Sequence, residues 1–133
     1  MSYDRKYLLW ALSYLTLGMC LGIYMAASQD HNQCPTHAHI NLVGFALSFG
    51  YGIIHKLWLA QPSPAIARAQ FFVHHAGALT MITGLFLLYG NVLPESQIGP
   101  VLGISAITVL VAALLMMYMV LKSSAVKSYA SLS

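Results

Sequence analysis

The chain has 133 residues, room for one domain, and 59% of them are hydrophobic while only 7% carry a charge. Soluble globular chains carry about a quarter charged residues, so six bases and three acids cannot coat a water-exposed surface of this size. A freely soluble enzyme, a disordered chain and a nucleic-acid binder with a basic footprint are thereby excluded, and an integral membrane protein of net charge +3 is left.

Arg5 and Lys6 precede the first apolar run, residues 7–27, which holds no charge and contains Gly18-x-x-x-Gly22. This run is longer than the roughly 7–15 residues of a signal-peptide core, so it reads as a span. Residues 28–36 form a polar loop with Asp30, His31, Asn32, Cys34 and Pro35. The second run, 38–59, has Lys56 as its only charge. His37, Asn41, Gly44, Ser48, Gly52 and His55 recur there at three- and four-residue steps, which places them on one helix face. Pro62 and Pro64 break the chain before the third run, 69–89, whose matching stripe is Gln70, His74, Gly77, Met81 and Gly84. Pro94 and Glu95 lie in the loop 91–97. The fourth run, 99–121, opens on Gly99-x-x-x-Gly103 and ends among Met116, Met117 and Met119, read as apolar filling.

Each run reaches the roughly 20 residues that cross a bilayer as a helix. None alternates as a barrel strand does, and only internally bonded helices satisfy the backbone in lipid. The expected fold is all-α: a four-helix transmembrane bundle with short loops and up-down topology. Arg5, Lys6, Lys56, Arg68, Lys122 and Lys127 all fall on one side of it, whereas the first and third loops offer only Asp30 and Glu95. The positive-inside rule makes that side the cytoplasm. The chain is thus expected as a multi-pass protein of the cytoplasmic (inner) membrane, N-in and C-in, with its histidine-rich first loop outside.

Lipid-facing positions want large apolar side chains, so small and polar stripes mark buried faces. Glycine pairs alone argue only for close packing; histidines inside spans are functional candidates by default. There are six histidines. His31, His37 and His39 form an outer layer, and His55, His74 and His75 an inner one. Sixteen residues separate His39 from His55, about 24 Å along a straight helix, too far for one mononuclear site. His75 stands about 100° off the polar stripe of the third span, and the rings of His37 and His39 project about 200° apart. The latter two suit two cofactors on opposite sides of the helix, or an interface between subunits, better than one shared ion. Asn41 is placed to orient a ligand ring by hydrogen bonding. Cys20 and Cys34 lie in no Cys-x-x-Cys pattern and read as free thiols.

The run His37-Ala38-His39-Ile40-Asn41-Leu42-Val43-Gly44-Phe45 resembles a segment of the haem–copper oxidase subunit I superfamily, the large subunits of cytochrome and quinol oxidases and nitric-oxide reductases. The whole chain is more similar still to small four-span relatives of that subunit. The resemblance extends to Asp30-His31, to Leu17-Gly18 through Ile23, and to Arg68, Phe71, His74 and Gly77. It implies one four-helix arc of a twelve-helix ring that three copies would rebuild. It also implies haem-iron ligation by His37 and His39, one of them facing a neighbouring subunit. His74-His75 lie on the inner side, where the family's adjacent copper-binding pair does not, so the copper role is not carried over. Gln70 stands where relatives often have another histidine, and no tyrosine is evident beside a three-histidine site.

The expectation is therefore a haem b protein, a homotrimer in the lipid bilayer, that carries electrons or binds a small gas. Its cofactor-binding residues are His37, His39, Asn41, Gly44 and His74. His37 and His39 are the metal ligands, with His31 and His75 as secondary candidates. Neutral imidazole suits iron, and small residues leave room for a macrocycle. Two alternatives stand beside it: a copper- or zinc-binding or permeating protein using the same histidines, and a cofactor-free structural or assembly subunit. No catalytic residue is assigned; any enzymatic role would be oxidoreduction.

Overall fold

The computed structural model describes residues 1–123. Lys127, expected on the basic side, lies outside the described residues. Four helices make up the fold: α1 (Tyr3–Ser28), α2 (Cys34–Leu57), α3 (Pro64–Tyr89) and α4 (Glu95–Lys122), each long and apolar enough to cross a membrane. Among the described residues there is no strand.

Every helix begins before its apolar run, whereas α2 ends at Leu57, short of the expected residue 59, and α3 ends at Tyr89 as expected. Pro35 and Pro64 sit in the first turns of α2 and α3, where a missing N–H costs nothing and the fixed φ suits a helix. The loop expected over 28–36 is correspondingly shorter, and His37 is already helical. α1 stops at Gln29, whose φ of 57° is the left-handed conformation that commonly ends helices.

α2 is not uniform. Its first part Cys34–His39 and its longer last part Leu47–Leu57 are α-helical, but Ile40–Ala46 is π-helical. Such wide turns cluster at functional sites. Here the Asn41 side-chain amide donates to His37 O at 2.9 Å, the carbonyl that α-helical geometry assigns to the main-chain N–H of the same residue.

Contacts between successive helices pair residues in reverse order. Gly52, Gly44 and Gly18 make the α1–α2 seam: added Cβ atoms would meet Tyr7 at 3.3 Å, Tyr14 at 2.6 Å and Asn41 at 2.7 Å, respectively. Along the α3–α4 seam, Gly77 receives Val109 and Gly84 receives Leu102. The Gly99-x-x-x-Gly103 pair takes no part, since an added Cβ at Gly103 meets nothing within 4 Å. The close approach of this pair of helices is thus set by α3 glycines accepting α4 side chains.

One core cluster (Tyr7, Tyr51, Leu59, Ala67, Phe71, Met116, Met119) closes the end that bears Arg5, Lys56 and Arg68. A smaller one (Tyr14, Ile40, Ala78, Ile82) lies further along the bundle. α3 is the central helix, with 44% of its apolar window buried against 22% for α1 and α4. The outer faces carry exposed Ile23, Leu42, Phe72 and Ile104, side chains that suit lipid as their solvent.

Candidate functional site

Two groups of polar side chains lie inside this apolar framework. The first is the expected pair at the start of α2. His37 points into the α1–α2 seam, where Gly22 leaves the room: a Cβ there would stand 3.1 Å from the imidazole Cε1. Its Nδ1–H donates to Gly18 O at 2.9 Å. His39, on the other side of the helix, donates Nδ1–H to Pro35 O at 2.8 Å. A carbonyl only accepts, so both rings carry their proton on Nδ1 and present a lone pair at Nε2. That is the tautomer and the type of main-chain partner typical of metal-ligating histidine.

The two Nε2 atoms differ. That of His37 faces the Asn41 amide at 3.4 Å, a long hydrogen bond. That of His39 has no hydrogen-bond partner among the described residues, and the ring is half-buried. Gly44, a third member of the expected set, is buried against the Tyr14 ring and supplies space rather than a ligand. His31 is exposed in the α1–α2 loop.

The second group occupies the half of the bundle nearer the basic end. His55, His74 and His75 are all buried there. His74 faces α2, its Nε2 2.9 Å from Ser48 Oγ and its ring edge-on to Tyr51. His75 faces α1, with Nδ1 3.2 Å from the Tyr14 hydroxyl and its ring stacked on Trp10. The placement of His75 off the polar stripe is correct as an angle. It is still buried, because α3 has a neighbour on either side.

Tyr7 stands at the centre of this group, its ring 5.4–6.1 Å from those of His55, His74 and His75. Its hydroxyl donates to Gln70 Oε1. Gln70, fully buried, donates in turn to Ala112 O on α4 at 3.4 Å. Sequence reasoning found no tyrosine beside the histidines; the fold brings four, Tyr3, Tyr7, Tyr14 and Tyr51. The signal was present in the 3–4 spacing of Tyr7, Ala11, Tyr14, Gly18 and Gly22, which mixes small residues with the tyrosines on one face of α1.

Four buried atoms of this group have no partner: Tyr51 OH, His55 Nε2, His74 Nδ1 and His75 Nε2. Each such atom costs roughly 1–3 kcal/mol when left unsatisfied, so their concentration marks a place built to receive something polar. Among the described residues, however, no three His, Cys, Asp or Glu side chains are grouped to hold one metal ion. Cys20 and Cys34 are free and exposed.

Two clefts lie near the His39 end of the bundle. One of about 520 Å³ lies between the α1–α2 loop and the end of α3, lined by Tyr24, Asp30, Phe86 and Asn91 among others. A second, of about 260 Å³, shares Leu21 and Phe86 with it and reaches Ile40. Neither is lined by His37 or His39.

No protein-family model, no curated protein and no solved structure matches the chain.

Proposed function

We propose that this is a haem b protein of the cytoplasmic membrane that carries electrons or binds a small gas, with its iron held between copies of a homotrimer. The basic end faces the cytoplasm, both termini lie inside, and the four helices form one up-down arc with His39 at the outer surface. The observation that carries the reading is the fixed tautomer of the outer pair. Gly18 O and Pro35 O take the Nδ1 protons of His37 and His39, leaving the ε nitrogens to ligate.

His39 is the ligand this chain offers directly, because its lone pair is open and faces away from the α1–α2 seam. His37 becomes a ligand only when Asn41 turns aside. Gly18 O then holds the imidazole in the slot that Gly22 leaves, and Pro35 O in the first turn of α2 orients that of His39. Bound haem supplies the one-electron chemistry or the gas-binding iron, while the chain sets ligation and dielectric. The large apolar faces left on α1 and α4 give three copies surface to share.

A second reading, copper or zinc binding, is favoured by His74 Nδ1 and His75 Nε2, which are buried and unpartnered while hydroxyls hold the opposite nitrogens. Imidazole suits both metals.

A visible spectrum of the detergent-purified protein tests these readings. A Soret band that is lost or shifted in His39→Ala supports the haem assignment; a band unchanged by that substitution overturns it. Colourless protein with near-stoichiometric copper or zinc selects the second reading. Colourless, metal-free protein makes the chain a structural or assembly subunit. Native mass measurement tests the trimer, and a monomer or dimer sinks it.

A further inference from the structure

At the basic end, the α1–α2 seam opens sideways into a groove of about 250 Å³. Gly52 lies at its floor, tight against the backbone of Asp4 and the Tyr7 side chain. Its walls are Leu8, Phe49 and Ile53, each more than one-third exposed. Arg5, Lys56 and Asp4 stand at its mouth. Lys56 pairs with Asp4 at 3.8 Å across the seam, which offsets one positive charge there and leaves Arg5 as the principal cation of the rim.

We propose that this groove binds one anionic glycerophospholipid, its phosphodiester on Arg5 and a stretch of acyl chain along Leu8, Phe49 and Ile53. The chemistry matches at both ends. A guanidinium takes two phosphate oxygens at once in a planar fork. The walls below are apolar, as an acyl chain requires and a free phosphate does not. Basic pockets between membrane helices are a recognised form of lipid headgroup site.

The distribution of charge selects the sign of the lipid and the end of the molecule. Arg5, Lys6, Lys56, Arg68 and Lys122 flank the ends of the helices here, with Asp4 as the acid among them; the opposite loops offer Asp30 and Glu95 with no Lys or Arg. An anionic headgroup is attracted to the first end and repelled from the second. The proposal is independent of the haem assignment.

Native mass spectrometry of the purified full chain in neutral detergent tests it, with phosphatidylglycerol and phosphatidylcholine of identical acyl chains as probes. One phosphatidylglycerol is expected to be retained per chain, preferred at least roughly fivefold over phosphatidylcholine, the advantage of a single interfacial base. Arg5→Gln is expected to erase most of that preference. Ile53→Trp, which fills the groove from a lipid-facing position, is expected to lower retention of both lipids while helical circular dichroism is unchanged. Equal retention of the two lipids, an unchanged preference in Arg5→Gln, or displacement of the lipid by millimolar inorganic phosphate would each overturn the proposal.

Discussion

Gly18 of α1 lies directly under the Asn41 side chain of α2: an added Cβ would stand 2.7 Å from both its amide nitrogen and its amide oxygen. No side chain fits there unless Asn41 moves. Asn41 in turn holds His37 through its carbonyl and, at longer range, its ring. The small residue on one helix thus fixes the position of a candidate ligand on the next.

Gly18→Ala is accordingly expected to destabilise the protein by about 1–3 kcal/mol, the usual cost of overpacking a filled seam. Gly103→Ala makes the same chemical change in open space and is expected to be neutral or to stabilise, by up to about 1 kcal/mol, through helix propensity. Thermal unfolding of both variants in detergent compares them. Equal losses in the two would mean that the α1–α2 seam is not the constraint described.

Gln70 joins three helices by accepting from Tyr7 and donating to Ala112 O. Gln70→Leu strands a buried tyrosine hydroxyl, and a loss of about 1–3 kcal/mol is expected. Adding Tyr7→Phe removes the stranded group, so the double variant should recover part of that loss instead of falling further. Strictly additive destabilisation in the cycle would show that the hydrogen bond contributes nothing.

Orientation is accessible through the two thiols, both exposed on the protein surface. Cys34 lies in the first turn of α2, at the His39 end, and Cys20 lies well within α1. A membrane-impermeant maleimide applied to intact cells is expected to label Cys34 and spare Cys20, which lies in the middle of α1 where a reagent confined to water does not reach. Labelling of Cys34 only after lysis would invert the topology. The Cys34→Ser variant supplies the control.

Much of this architecture was legible in the sequence because one physical quantity, apolar length, determines a membrane span. The polar-small row of α2 was legible for the same reason: Gly44, Ser48, Gly52 and His55 have no place against lipid, and all are buried. The helix ends were less legible, since Pro64 to Arg68 belongs to α3 by hydrogen bonding while its hydropathy resembles a loop. His75 lies off the polar stripe as the spacing gave it, and it is buried all the same because the central helix has more than one packed face. Tyr7, Tyr14 and Tyr51 could not be paired with histidines from the sequence, because their meeting with His55, His74 and His75 depends on how separate helices pack. The π-helical stretch left no trace in residue type at all.

That stretch holds one residue more than an α-helix needs for the same rotation. Hydrogen bonds that reach five residues along instead of four turn residues 40–46 by only about 80° each, so seven of them rotate the chain about as far as six α-helical residues at 100°. The part that turns His37 toward α1 and the part that turns Ser48 toward α3 therefore stay nearly in phase. Deleting a single residue from the stretch would tighten it into ordinary α-helix with the span still fully hydrogen bonded and both ends aimed almost as before.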